Sequence, residues 1–360
     1  MFYMTSSSEV IAMTVIYVLI SITSVIGNVT ICYVISRTKA MHTPPNCYLF
    51  SMAISDLLLL ITGIPNEIQW LWYPSKYIFS EALCIFRGLA NETSTNASIL
   101  TICAFTIERY VAVCHPLRSR TMSQLGRVIA SIVFIWILGC LCAIPQAVQY
   151  GLIHYQQLTQ NGIRTVADCT LTNELSAAFE ISTLVFFIFP MVLITILYML
   201  IVKELRHQAH LARVRRPLST CTVDWEKNES IIKVLVAVVV GFFICWLPFH
   251  LQRLLAVHGD ATNAVVQRLF VILTHISGVL TYTSTCINPI LYHIFCSRFR
   301  KALKVIILNC FSNKSTNQGE KSSATLVEYK KTVQDTRKVD LSRSSYLNDS
   351  GTDNVAHLST

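Results

Sequence analysis

Asp56 lies inside a long apolar run, Ala53-Ile54-Ser55-Asp56-Leu57-Leu58-Leu59-Leu60. A carboxylate at mid-membrane depth costs roughly 3 kcal/mol or more, so a residue kept there has a use. Two further carboxylates matter. Glu67 is eleven residues beyond Asp56, about three helical turns, which sets it on the same face and about 16 Å nearer one membrane surface. Glu92 stands about two turns past Cys84. Two carboxylates facing one cavity suit a cationic group such as a guanidinium, because the like charges repel until a cation lies between them. The alternative is that Glu67 pairs with an internal base, Arg87 or Arg253. At the other end of the same run as Glu92 stands Glu108-Arg109-Tyr110, where a Glu beside an Arg can pair locally in one state and free the Arg in another. By itself this tripeptide equally describes an interfacial arginine that snorkels to the headgroups.

Helices must position these groups. The 360 residues are 53% hydrophobic and 14% charged, and seven apolar runs span roughly 10–36, 46–73, 83–113, 126–148, 176–202, 231–257 and 265–295. Each reaches the roughly 20 residues that cross a bilayer. An all-α membrane bundle of seven helices over 10–296 follows, since each span needs neighbours for its polar groups. The first run has no basic leader and no small-residue cleavage site, so it is expected to anchor rather than to be removed. Arg37, Lys39, Arg118, Arg120, Arg127, Lys203, Arg206, Arg213, Arg215, Arg216 and Lys227 fall in one set of loops, and Arg298, Arg300, Lys301 and Lys304 follow the last run. The positive-inside rule then puts the N-terminal residues 1–9 outside and the C-terminus in the cytosol, at the plasma membrane. The net charge of +9 is thereby explained by anionic lipid and needs no nucleic acid.

Of thirteen cysteines most lie inside spans, where they act as small hydrophobes. Cys84 and Cys169 lie on the outer, oxidising side and are expected to pair, tying the longest outer loop across the bundle mouth. Sequons at Asn28, Asn91, Asn96 and Asn228 fall in spans or on the cytosolic side, so they should carry no glycan. Residues 297–310 read as an amphipathic helix on the inner leaflet, with Arg298, Arg300, Lys301 and Lys304 on one face and Phe299, Leu303, Ile306 and Ile307 largely on another. Cys310 is a candidate for palmitoylation or a plain reduced thiol. The tail 311–360, rich in Ser, Thr, Asn, Asp and Lys, is expected to be disordered.

Proline and tryptophan add moving parts. Phe242-Phe243-Ile244-Cys245-Trp246-Leu247-Pro248-Phe249 puts a hinge at Pro248 beside a large ring. Asn288-Pro289-Ile290-Leu291-Tyr292 places an amide that can reach Asp56, a loosened backbone, and a hydroxyl toward the cytosolic half. Asn28, Trp136, Pro190 and Tyr198 complete a set of about one per span.

In this order the set resembles the rhodopsin-like (class A) G-protein-coupled receptors over about residues 10–310, with Glu in place of the commoner Asp before Arg109. The resemblance implies an agonist cavity in the outer half and an equilibrium between states in which the sixth helix swings out. A G-protein helix then meets Arg109, with Glu108, Tyr110, Trp246, Pro248, Asn288, Pro289, Tyr292 and Tyr198 in the activation path. It further implies receptor kinases and arrestin at the tail, and a sodium ion held by Asp56 with Ser98 and Asn288. Ser284 stands where a second Asn is common.

Asn91 beside Glu92, where an amine receptor is expected to carry Asp, argues against an amine ligand, and the absence of Lys in 265–295 excludes a retinal Schiff base. Gly63-Ile64-Pro65-Asn66-Glu67, the stretch Glu92–Thr101 and Ala104-Phe105-Thr106-Ile107-Glu108-Arg109-Tyr110 are similar to the neuromedin U, pyrokinin and CAPA (periviscerokinin) receptors, and Thr121-Met122-Ser123 to the arthropod CAPA branch. Ligands of that group end in Pro-Arg-x-amide and couple through Gq-class proteins to calcium. The resemblance places the arginine at Glu67 and Glu92 beside Asn91, and the amide end at Arg253, His250, Tyr282 and Phe249. A seven-span transporter or channel would need paired broken helices or a continuous polar path. An enzyme with a metal centre would need converging His and carboxylates, whereas His115, His207 and His210 lie toward one edge and His250 and His275 toward the other.

Overall fold

The computed structural model describes residues 7–73, 77–117, 124–159, 162–172, 176–215, 240–241, 243–260, 262–295 and 297–312. The N-terminal residues 1–6, the first part of the sixth apolar run, the basic residues Arg118, Arg120, Arg216 and Lys227, and the tail from 313 lie outside them. Helices α1 (Ser7–Arg37), α2 (Pro44–Trp72), α3 (Glu81–Cys114) and α4 (Leu125–Ala147) follow the first four apolar runs to within three residues at each end. α5 runs from Ser176 to Arg215, thirteen residues past its apolar stretch. α6 comprises the helical residues 240–241 and 243–258, α7 is Ala264–Phe295 and α8 is Ser297–Ser312. Among the described residues six helices are long and apolar enough to cross a membrane. The described part of α6 adds the hairpin-side portion of the seventh.

Local chemistry sets the helix ends. The Ser80 hydroxyl accepts the Leu83 N–H and caps α3, and Pro44 and Pro45 open α2, where a missing N–H costs nothing. α5 widens to a π turn over Leu184–Ile188, directly before Pro190. Proline has no N–H and its ring crowds the carbonyl four residues back, so the turn opens there. Between α4 and α5 stands an element that the apolar pattern does not announce, an antiparallel hairpin of β1 (Tyr150–Thr159) and β2 (Gly162–Leu171), with Leu152 opposite Cys169. It defines one end of the bundle, here the hairpin end.

Burial is inverted relative to a water-soluble bundle. Ile26 and Ile61 are more than 60% exposed, while Asn28 is fully buried and Asp56 nearly so. The outward apolar stripes suit lipid, and the polar groups find partners inside. Trp136 Nε1 donates to Ser51 Oγ at 3.0 Å, Asn96 Nδ2 to the Gly139 carbonyl at 3.2 Å, and Asn28 Nδ2 to the Thr285 carbonyl at 3.0 Å. These bonds stitch α2 to α4, α3 to α4 and α1 to α7. Close approach also matters. A Cβ on Gly27 would stand 2.6 Å from the Pro289 ring, so the glycine lets α1 lie against α7 at its proline.

At the end away from the hairpin, Phe299 and Ala302 of α8 bury against Ile31, Val34, Leu49 and Ala53, with Tyr292 packed alongside. Arg300 donates to the terminal carbonyls of α7 at His293 and Ile294, satisfying groups a helix end leaves open. Arg300, Lys301 and Lys304 stay exposed. α8 continues two residues past the expected 310, so Cys310 lies within its last turn.

Candidate functional site

Below the hairpin lies a cavity of about 600 Å³, within the usual range for ligand sites. Its walls come from α2 (Asn66, Glu67, Trp70), α3 (Arg87), α6 (Gln252, Arg253), α7 (Thr274, His275) and the hairpin (Tyr150, Thr170).

Arg253 organises one side. Its guanidinium makes a two-pronged pair with the Glu92 carboxylate, with Nη1 to Oε2 at 3.2 Å and Nη2 to Oε1. It also donates to the Tyr150 hydroxyl and lies over the rings of Phe249, 4.2 Å from the centroid, and Phe179, 5.2 Å away. Both partners are nine-tenths or more buried. A planar guanidinium suits this role, since its fork matches a carboxylate and its face stacks on aromatic rings.

Glu67 is therefore the carboxylate that faces the cavity without Arg253. It is half-buried, accepts a hydrogen bond from Tyr282, and stands within the field of Arg87. Arg87 in turn donates to Cys169 Sγ at 3.4 Å. Tyr282 meets Tyr17 edge to face at 5.8 Å, and a Cβ on Gly63 would overlap the Tyr282 ring at 2.8 Å. The glycine on α2 thus leaves room for the phenol that reaches Glu67. The hairpin is held overhead by the Cys84–Cys169 disulfide, with 5.9 Å between Cα atoms, and by the Tyr77 N–H donating to the Ala167 carbonyl at 2.7 Å. Burial lifts the Asp168 carboxyl above the ordinary carboxylate range against the opposing pull of the Cys169 N–H and Arg87.

The structure therefore brings Glu67, Tyr282, Glu92, Arg253 and Phe249 around one region but divides the carboxylates differently from the sequence reading. Glu92 is engaged by Arg253, and Arg253 by Glu92, so they do not stand at opposite ends of a ligand. Asn91 turns aside, its Oδ1 accepting from the Thr62 hydroxyl on α2. His250 is buried, with Nδ1 3.1 Å from the Thr183 hydroxyl at the π turn and its ring stacked on Phe187 at 4.6 Å. Tyr150, Phe179, Tyr17 and Trp70 were not singled out from sequence. Each is an aromatic in an apolar stretch with no local mark of its role.

Trp246 floors this region, edge to face with Phe249 at 5.7 Å and packed on Ile99, Phe186, Phe187 and Met191. Pro248 follows it in α6. Beneath lies a small cavity of about 40 Å³ bounded by Asp56, Ser98, Trp246, Ser284 and Asn288. Asn288 Nδ2 donates to Asp56 Oδ2 at 3.2 Å, the bond the sequence anticipates, and Ser98 Oγ lies 2.8 Å from Ser55 Oγ. The space suits one ion or a water or two, and the carboxylate and hydroxyl oxygens suit a hard cation. Asn288 presents its amide nitrogen to Asp56, so it shares that charge rather than offering an oxygen.

At the opposite end Glu108 and Arg109 form the local pair, 3.1 Å apart, with Glu108 buried and the Arg109 guanidinium over Phe105 at 5.5 Å. The Thr106 hydroxyl donates to Tyr198 at 3.2 Å, joining α3 to α5, and the Tyr110 hydroxyl lies 3.3 Å from His115 Nε2.

A bundle with an open hairpin end, a polar midplane and an acid–base pair at the far end of α3 is the frame of a signal-transducing receptor. The model of the 7 transmembrane receptor (rhodopsin family) matches residues 27–292, and the chain belongs to that family. It is 38% identical to the Pyrokinin-1 receptor of Drosophila melanogaster, over 89% of this chain and 84% of that one. It is 36% identical to the neuromedin U receptor homolog nmur-2 of Caenorhabditis elegans (84% and 81%) and 33% to Neuromedin-U receptor 2 of Mus musculus (81% and 74%). Within the family it is a neuropeptide G-protein-coupled receptor of the pyrokinin and neuromedin U type, a multi-pass membrane protein and not an enzyme.

Proposed function

We propose that the receptor is activated by an amidated peptide ending in Pro-Arg-x-amide, of the CAPA (periviscerokinin) kind. The observation that carries this is Glu67, a half-buried carboxylate on the 600 Å³ cavity that Arg253 leaves to the ligand. The peptide's arginine pairs with Glu67. Its terminal amide carbonyl accepts from the Arg253 guanidinium, which Glu92, Phe249 and Tyr150 hold in place. Glu92 already neutralises Arg253, so the site offers a hydrogen-bond donor without net positive charge, which suits a neutral amide better than a carboxylate. A pyrokinin is the second reading, favoured by the 38% identity to the Drosophila melanogaster receptor of that name.

In this reading the hairpin end is extracellular and α8 cytosolic. The peptide shifts Trp246 and opens α6 at Pro248. Arg109 leaves Glu108 to meet a Gq-class G protein, and calcium is released. Sodium in the Asp56 cavity, held by oxygens of Asp56, Ser98 and Ser284, favours the resting state. Kinases and arrestin act on the hydroxyl-rich tail.

Glu67→Gln tests the arginine contact. It keeps the shape and the hydrogen bond from Tyr282 but removes the charge, and should weaken a Pro-Arg-x-amide agonist by roughly 1–3 kcal/mol, about five- to a hundred-and-fiftyfold. Surface expression should be unchanged. Calcium dose–response curves with cell-surface labelling decide it, and equal potency on both receptors removes the arginine contact.

A further inference from the structure

The hairpin-side turns of α5 and α6 meet in three rungs. Deepest in the bundle, His250 Nδ1 lies 3.1 Å from the Thr183 hydroxyl. Next, the Arg253 guanidinium stacks over the Phe179 ring at 5.2 Å. Farthest toward the hairpin end, His258 Nε2 and Glu180 Oε1 stand 3.0 Å apart. Glu180 directly follows Phe179, and His258 lies five residues beyond Arg253, so this last rung closes the seam over the Arg253 stack. The two deeper rungs are buried, whereas the His258 and Glu180 side chains are 60% and 49% exposed. Of the three, the last is therefore the one open to protons from water. Histidine is also the side chain whose charge changes between about pH 5 and 8.

We propose that His258 and Glu180 form a proton-operated clasp that positions Arg253 for the peptide, so that acid sensitises the receptor. The inference rests on the peptide reading above, in which Arg253 meets the terminal amide and the hairpin end is extracellular. With His258 protonated, the ion pair holds the arm of α6 beyond Pro248 against α5. Loss of the proton removes the charge attraction and leaves the arm to the Phe179 stack and the Thr183 bond. Arg253 then moves more freely from the place where the amide meets it. The clasp is complete in acid and weakens as the pH rises toward about 8. Other ionisable groups on the packed elements are placed elsewhere. Arg253 is on Glu92, Asp260 accepts from the Thr262 N–H and hydroxyl, and His275 stands beside Trp70. Arg268 lies in the second turn of α7, and His154 and Asp168 belong to the hairpin. An exposed ion pair adds little to stability, so the effect is expected in potency rather than in folding.

The experiment records calcium release at about pH 6 and about pH 8 from cells bearing the full receptor. The agonists end in Pro-Arg-Val-amide, Pro-Arg-Leu-amide or Pro-Arg-Asn-amide. They contain no His and are acetylated at the N-terminus, so the ligand keeps one charge across this range. Surface labelling, and the calcium response through another receptor of the same cells, correct for effects of pH on the cell. The wild-type half-maximal concentration should be about two- to fivefold lower at the acid pH, the ratio an exposed ion pair supports. His258→Gln and Glu180→Gln should each lose that ratio and show the alkaline potency at both pH values. His258→Arg, charged throughout, should also lose the ratio but show the acid potency.

A wild-type potency that does not change with pH overturns the clasp and leaves the peptide reading standing. A ratio that survives in both Gln variants also overturns it, assigning the titration to another group such as His275. So does His258→Arg at the alkaline potency, since a permanent cation would then restore nothing. Silence of every peptide at both pH values on surface-expressed wild-type receptor overturns the peptide reading and the clasp together.

Discussion

Arg253→Met should cost about 3–5 kcal/mol of stability, the scale for stripping one partner from a buried ion pair. The loss arises because Glu92, nine-tenths or more buried, keeps its charge requirement while its two-pronged partner disappears. Tyr150 loses its donor, and the Phe249 and Phe179 rings lose the cation between them. The double variant Glu92→Gln/Arg253→Met should recover most of the stability, since no unpaired charge remains and a thioether packs well between aromatic rings. It should still fail to respond to peptide, because the amide has lost its donor. The thermal midpoint of detergent-solubilised receptor, read for the wild type, both single variants and the double, separates these terms. If Arg253→Met melts with the wild type, the pair contributes nothing and Arg253 is free to serve the ligand alone.

Cys169→Ser should cost about 2–5 kcal/mol. The bridge closes a loop of 85 residues and joins β2 to the first turn of α3. Tyr150 and Thr170, which line the 600 Å³ cavity, both belong to the hairpin it holds. Released from Cys84, the hairpin keeps ties such as the Tyr77 N–H to the Ala167 carbonyl and the Tyr150 hydroxyl to Arg253. Surface expression and thermal midpoint should fall together, and receptor that does reach the surface should lose peptide potency. Cys84→Ser/Cys169→Ser should match the single variant, because nothing is left to pair. A bridge-free receptor with wild-type midpoint and potency would show that the hairpin holds its place without the disulfide.

The bundle was legible because lipid imposes a length and a polarity on each span, and both are written locally. Asp56 with Asn288, Glu108 with Arg109, and Cys84 with Cys169 were legible for a related reason. Each pairs unusual residues whose depth or compartment admits few partners. The pairing of Glu92 with Arg253 crosses 161 residues and depends on how α3 and α6 are rotated about their axes, which packing sets and spacing does not. Asn91 turned to Thr62 for the same reason. The π turn before Pro190 was present in outline, since a proline in a span must disturb the turn before it, but its form depends on the neighbouring helices. The hairpin did leave a mark. Asn161-Gly162 stands between two stretches rich in Tyr, Ile, Val and Thr, a pattern typical of a tight turn between strands. The long apolar spans on either side outweigh this signal in the composition.

The central proposal is a cavity that recognises an arginine next to an amidated C-terminus. Its most direct test is intracellular calcium in cells expressing the receptor, exposed to Pro-Arg-Val-amide, Pro-Arg-Leu-amide and Pro-Arg-Asn-amide peptides and to their free acids, with surface expression verified. A strong response to at least one amide and little or none to its acid is the expected result. An equal response to amide and acid, or silence across the panel, would contradict it.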